Sequence, residues 1–290
     1  MVEESSFERQ DVGHCCQILG VSRSGYYDWL HRPLSERRTE DQRIWEKIKQ
    51  HWEKSRKTYG SPRILEKLKS EGESIGKHRV ARIMRENGIQ GAAKKKFKPQ
   101  TTDSNHKLPV SDRIFETENS DVQVQKPNQY WGGDITYIPT GEGWLYLAIV
   151  IDLFTRKIVG HSMRNSLHAD IVINALEMGI QRQIPGKDLI SHSDRGSQYA
   201  ADEYQKLLKE NNIKASMSRK GNCYDNAFVE SFFHSLKVEL VHREKFKTRE
   251  DAKRAIFEYI EVWYNRQRIH SALDYKTPVE YESIKLNQAA

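Results

Sequence analysis

Apolar and polar positions follow a helical period over the first ninety residues, lose any steady period over the next thirty, and become strand-like after Val122. The opening stretch GHCCQILGVSRSGYYDWL reads as two short helices. The first ends near Leu19, Gly20 and Val21 make the turn, and Ser22 caps a second helix carrying Arg23, Tyr26, Tyr27 and Trp29. A helix around Asp41 to Lys54 follows. Ser61 and Pro62 then read as an N-cap and a proline at the first helical position. Ile64, Leu65 and Leu68 give that helix its apolar face, and Gly72 ends it. A further helix from about Gly76 to Asn87 turns Val80, Ile83 and Met84 inward, with Gly88 at its end. Residues from about Gly91 to Ser120, with the run Lys94-Lys95-Lys96, are polar and read as a linker.

Beyond Val122, WGGDITYI, WLYLAIVID and RKIVGHSM are three β-rich runs joined by short breaks, which predicts an antiparallel meander. A helix from about Ser166 to Gln181 follows, with Val172, Leu176 and Ile180 on one face. LISHS is a short apolar run ending at Asp194; a helix near Ala201 to Asn211 and a short run at Ile213 to Ser216 come next. A long helix starts near Asp225, which caps it. A last one starts at Thr248, where Asp251 forms an acidic capping-box variant. The stripe of that last helix is Ala252, Ala255, Ile256, Tyr259, Ile260, Trp263 and Tyr264. The expectation is a mixed α/β domain preceded by an all-α helix-turn-helix region. We place the helical region at residues 1–90, the linker at 91–121 and the α/β core at 122–285.

Charge sharpens this division. The chain carries a net +7, yet residues 31–107 hold 21 Lys or Arg against 10 Asp or Glu, a net +11. Basic charge concentrated in the helical region suits a polyanion, although a solvated surface explains uneven charge as well. Lys77, Arg79, Arg82 and Arg85 share one helix, which could lie in a major groove with its cations on phosphates. No run of eighteen apolar residues occurs, so no membrane span is expected. The acidic start MVEESSFERQ is unlike a secretory signal. Three cysteines without CxxC or zinc spacing fit a reduced, cytoplasmic compartment.

Three carboxylates stand out. Asp134 interrupts an otherwise apolar strand, where an isolated carboxylate is costly unless paired or metal-bound. Asp194 ends a strand, a common place for a ligand site in an α/β sheet. Taken alone, each is as well explained as a turn aspartate. On the helix from Asp225, a step of 100° per residue puts Phe228, Phe232, Leu236 and Leu240 on one side, the expected buried stripe. Glu230, His234 and Lys237 cluster on another side, which a solvated face also explains. The glycine-containing run from Arg219 to Asn226 before this helix has the composition of a substrate-contacting loop. Two strand carboxylates and one helix carboxylate suit hard divalent cations, Mg²⁺ or Mn²⁺, as a pair for phosphodiester chemistry. No G-x-S-x-G elbow or P-loop is present for a serine nucleophile or a nucleotide.

WGGDITYI, HSDRGSQY and DNAFVESFFHSLKVE together resemble the second-frame (OrfB-type) insertion-sequence transposases related to retroviral integrases. Thirty-five residues separate Asp194 from Glu230, the spacing characteristic of that DDE group. YGSPRI, RVARIMRENGI, VSRSGYYDW and YNRQRIHSALDYKTPVEY carry the resemblance over nearly the whole chain. The resemblance implies a ribonuclease-H-like mixed sheet flanked by helices. It also implies metal-dependent cleavage at transposon inverted-repeat ends, followed by strand transfer into target DNA by a freed 3′ hydroxyl. Asp134, Asp194 and Glu230 inherit metal binding and catalysis, and Lys237 inherits contact with terminal DNA. A homo-oligomer acting on paired ends and a first-frame partner protein are implied too. Gly132-Gly133 before Asp134 departs from the pattern and reads as a flexible approach. A non-catalytic DNA-binding regulator and a plain nuclease of the same fold remain the alternatives.

Overall fold

The computed structural model describes residues 12–92, 124–217 and 227–289. Most of the expected linker, the Lys94-Lys95-Lys96 run, and the stretch holding Asp225 lie outside these residues.

The helical region comprises α1 (Val12–Ile18), α2 (Arg23–His31), α3 (Glu36–Lys54), α4 (Ser61–Ser70) and α5 (Lys77–Glu86). Ser22 caps α2 by accepting the Gly25 N–H at 3.0 Å, as its sequence position suggested. Two boundaries move. Ser35 caps α3, so that helix starts before Asp41. Gly60 takes the N-cap of α4, placing Ser61 and Pro62 inside the first turn. Val80, Ile83 and Met84 are buried on α5 as expected.

The core begins with β1 (Tyr130–Thr140), β2 (Gly143–Asp152) and β3 (Ile158–Arg164), the predicted antiparallel meander. Then come α6 (Asp170–Gln183), β4 (Ile190–Ser193), α7 (Asp202–Glu210) and β5 (Lys214–Met217). β4 pairs parallel to β1, and β5 parallel to β4, giving the order β3-β2-β1-β4-β5. This mixed five-stranded order is ribonuclease-H-like. One sheet face is covered by α6 and α7, burying Trp131, Val150, Val159, Ile171, Leu176 and Leu208. The other is covered by α8 (Ala227–Leu236) and α9 (Arg249–Glu258).

α8 and α9 each continue directly into a wider, π-type segment, at Lys237–Val241 and Tyr259–Tyr264. Thr248 and Asp251 form the expected capping box at α9. α10 (Pro278–Ala289) was not anticipated, although Thr277-Pro278-Val279-Glu280 is a start signal: the Glu280 carboxylate accepts the Thr277 N–H at 2.9 Å. No helix among the described residues is long and apolar enough to cross a membrane.

The two regions share one core. Ile44, Ile48, Ile64, Leu68 and Ile83 of the helical region join the same buried cluster as Phe232, Ile256, Tyr259 and Trp263. Tyr59 stands at the junction, its ring 5.6 Å from that of Trp263. Its hydroxyl accepts the Ile269 N–H at 2.9 Å, and Arg63 Nε donates to the Ile269 carbonyl at 3.1 Å.

Candidate active site

The parallel register of β1 and β4 brings two of the three carboxylates together. Gly133 lies opposite Ser193, so Asp134 and Asp194 each follow by one residue at the same level of the sheet. Asp134 accepts the Ile135 N–H at 2.7 Å, and Asp194 accepts the Gly196 N–H at 2.9 Å. Both carboxylates are thereby oriented by local backbone.

The glycine pair before Asp134 corrects the expectation of a flexible approach. Gly132 and Gly133 lie within β1, paired on one side with Ile151 and Val150 and on the other with His192 and Ser193. Their purpose is steric. A Cβ on Gly132 would stand 3.0 Å from Val229 Cγ2 on α8 and 3.2 Å from Leu153 Cδ2. A Cβ on Gly133 would stand 3.3 Å from the Tyr199 ring, on the opposite face. Because strand residues alternate, Asp134 shares the face of Gly132, the one covered by α8. Val229 rests on Gly132, and Glu230 is the next residue along the helix.

The buried stripe of α8 is Val229, Phe232, Phe233 and Leu236, with Leu240 beyond it. Phe228 departs from expectation: it is 38% exposed and carries the Arg156 guanidinium 3.6 Å above its ring. Arg156 thus clamps the first turn of α8 to the β2–β3 connection. A second anchor holds the far end. Glu239 and Arg268 form an ion pair with each side chain 6% exposed, joined at 2.7 Å. Tyr259 Oη and Trp263 Nε1 also donate to Glu239, at 3.0 and 3.2 Å. Burial raises the Glu239 pKa, but Arg268 outweighs it and holds the carboxylate below its usual range.

Electrostatics ties the three carboxylates together. The Asp134 carboxyl is pushed up to about 8, first by burial, then by Asp194 and also by Glu230, while Lys237 pulls it down. Burial lowers the Lys237 ammonium, and Asp134 opposes that shift. Lys237 is half-buried at the start of the π-type segment, whereas Glu230 is exposed. Among the described residues, no group of three His, Cys, Asp or Glu side chains is already arranged to hold a metal ion. Burial and the neighbouring carboxylates both disfavour a charge on Asp134, and a proton there relieves that cost. A divalent cation would relieve it too, and an all-carboxylate donor set suits Mg²⁺ or Mn²⁺. The residues therefore fit such a cation.

The expected DNA-facing cations of α5 divide into two groups. Arg79 Nε and Arg82 Nη2 pair with Asp41 at 2.7 and 2.6 Å, and further bonds reach Glu40 and Glu86. These two arginines tie α5 to α3. Lys77 and Arg85 are exposed.

Comparison with known proteins adds to this geometry. A family model described as "Integrase core domain" matches residues 124–223, a second of the same description matches 230–286, and an "HTH-like domain" model matches 39–97. The chain is 42% identical over 275 residues to the "Insertion element IS600 uncharacterized 31 kDa protein" of Shigella sonnei, covering 95% of this chain and 99% of the relative. It is 42% identical over 273 residues to "Transposase InsF for insertion sequence IS3A" of Escherichia coli (strain K12), covering 93% of each. The HTLV-2 integrase catalytic core domain in complex with magnesium aligns at 17% identity and a TM-score of 0.42, over 55% of this chain and 98% of that one.

Proposed function

Because the chain belongs to the family of InsF-type insertion-sequence transposases, we propose that Asp134, Asp194 and Glu230 form the metal-binding centre with which it rearranges DNA. The protein is a DNA transposase with an integrase core, a polynucleotidyl transferase, and DNA is its partner. The observation that supports the site assignment is the parallel register that sets Asp134 level with Asp194, with α8 packed on the Gly132 face of β1.

The reaction exchanges phosphodiester bonds. Water first attacks the phosphorus at a transposon inverted-repeat end, and the leaving oxygen becomes a free 3′ hydroxyl. That hydroxyl then attacks target DNA, forming one phosphodiester as another breaks. Two bound Mg²⁺ or Mn²⁺ ions would stabilise the attacking and leaving oxygens. Asp134 and Asp194 would hold them from the sheet, their carboxylates oriented by the Ile135 and Gly196 N–H groups. Glu230 completes the donor set from α8, which Gly132 admits close to β1. Lys237, on the same helix, neutralises a phosphate of the terminal DNA. Lys77 and Arg85 supply phosphate contacts from the helical region, with Arg79 and Arg82 bracing α5 beneath them. Residues 1–90, 91–121 and 122–285 divide end binding, linkage and catalysis. The active form is a homo-oligomer on paired ends, with a first-frame protein contributing to end recognition, in the cytoplasm at the nucleoid.

Labelled DNA carrying the element's ends, incubated with Mg²⁺ or Mn²⁺, tests this reading. Metal-dependent joined product from the parent, lost in Glu230→Gln, is the expected result. Joining retained by Glu230→Gln refutes the assignment of the centre. Nicking without joining by the parent, even with the first-frame protein present, refutes the strand-transfer step.

A further inference from the structure

Two stretches with no part in the reaction as described, YGSPRI and YNRQRIHSALDYKTPVEY, meet where α4 joins the core. Tyr59 Oη accepts the Ile269 N–H at 2.9 Å and donates to the Gln267 carbonyl at 3.3 Å. Arg63 Nε donates to the Ile269 carbonyl at 3.1 Å. Arg63 therefore lies against the segment that carries Arg268 and His270 on either side of Ile269. Arg268 Nη1 is 3.3 and 3.4 Å from the two ring nitrogens of His270.

Charge is unbalanced at this place. The Glu239 carboxylate is fully engaged, accepting from Arg268 Nε and Nη2, Tyr259 Oη and Trp263 Nε1. Among the described residues Arg63 forms no ion pair, and its Nε bond to Ile269 is its one hydrogen bond, so both terminal nitrogens lack an acceptor. Arg268 Nη1 meets no oxygen either, and its distances to His270 are long for a hydrogen bond. The surroundings of Arg63 disfavour its charge. It is half-buried, and it sits in the first turn of α4, an uncapped helix end whose dipole is positive. Burial, then Arg268, pulls its pKa down, with Glu239 opposing. The Tyr59 ring, 5.5 Å from the guanidinium, compensates only in part. An arginine nonetheless stays charged, and a half-buried charge without a partner costs stability. His270 adds a donor without adding charge: burial, then Arg268, Arg63 and Arg156, pushes it down to about 2, leaving a neutral ring with one N–H.

We propose that Arg63, Arg268 Nη1 and His270 bind one phosphate of the DNA backbone at the seam between the helical region and the catalytic core. A phosphate supplies the acceptor that both arginines lack, and its bond to a planar guanidinium is of the strong, charge-assisted kind. Arg268 is already oriented, because Glu239 fixes Nε and Ser235 Oγ accepts from Nη2 at 3.2 Å. A phosphate seated here touches α4 and the C-terminal stretch together, so both regions hold the same duplex. The site does not depend on the three carboxylates, and its test needs no metal.

Arg63→Gln tests this by fluorescence anisotropy in EDTA from low to moderate salt. One duplex carries the element's end; the other is an unrelated duplex of equal length. The log–log salt slope should become shallower by about 0.9 on both, the value of one lost phosphate contact, since a phosphate carries no sequence information. Arg63→Lys keeps the charge and should keep the parent's slope. Tyr59→Phe removes the docking bond but none of the three donors; it should lower the Tm and leave the slope unchanged. A parent-like slope in Arg63→Gln overturns the proposal, and so does a loss confined to the element's end. An equal loss in Arg63→Lys or in Tyr59→Phe also overturns it, because packing at the junction then accounts for the effect.

Discussion

Replacing Asp134 by asparagine should make the metal-free protein more stable while abolishing its function. In the fold the carboxyl titrates at about 8, against 3.8 for the unperturbed group. The folded state therefore holds this proton more tightly than the unfolded chain does. Stability from this group is fully present below about pH 4 and is lost as pH rises towards 8. At about 1.4 kcal/mol per pH unit, the loss by pH 7 reaches about 4 kcal/mol; partial exposure of the side chain makes about 2–4 kcal/mol the working range. Asparagine keeps an oxygen for the Ile135 N–H but removes the charge. Urea unfolding in EDTA at pH 4.5 and pH 8 measures the difference. Asp134→Asn should match the parent at the lower pH and exceed it at the higher. Added Mg²⁺ should then stabilise the parent at pH 8 and leave the variant unchanged. If the parent is equally stable at both pH values in EDTA relative to the variant, the carboxylate is not confined with its like-charged neighbours, and the electrostatic argument for the site falls.

Further substitutions probe the supports of the site and the exposed cations of α5. Gly132→Ala presses a methyl group against Val229 and Leu153; it should cost about 1–3 kcal/mol in a denaturant titration. It should also reduce strand joining at least tenfold under conditions where the variant stays folded, since α8 carries Glu230; full joining would show that the helix does not need this close approach. Arg268→Ala strands the buried Glu239 carboxylate and should cost about 3–5 kcal/mol, with partial recovery in Glu239→Leu combined with Arg268→Met; a loss under 1 kcal/mol in urea unfolding contradicts the anchor. Lys77→Ala with Arg85→Ala should lower the salt dependence of DNA binding by about 0.9 per lost phosphate contact, or roughly 2 in log–log slope. An unchanged slope, measured by fluorescence anisotropy from low to moderate salt, removes α5 from the DNA interface.

The sequence was most informative where a single period or a single cap decides local structure. The meander, the α9 capping box and the buried face of α5 are all of this kind. Pairing between β1 and β4 was not readable, because four residues of β4 carry no register until the sheet forms. That pairing is what places Asp194 beside Asp134. The α8 stripe was misread at its first turn: 100° per residue makes Phe228 and Phe232 equivalent, but Gly132 opens space for Val229 while Arg156 holds Phe228 at the surface. The four cations of α5 looked alike because composition cannot show that Asp41 lies across from two of them. Gly132 and Gly133 read as a flexible approach for the same reason, since a glycine read alone reveals freedom but not crowding.

The shared core has a consequence for the making of the protein. The ribosome releases α3, α4 and α5 long before Tyr259, Trp263 and Ile269, against which Tyr59 and Arg63 are seated. During synthesis the basic helices emerge with one apolar face still waiting for a partner more than 150 residues downstream. A chain interrupted before that point lacks the wall that steadies the helix bearing Glu230. The helical region and the α8 end of the site are thus completed by the same late-made segment.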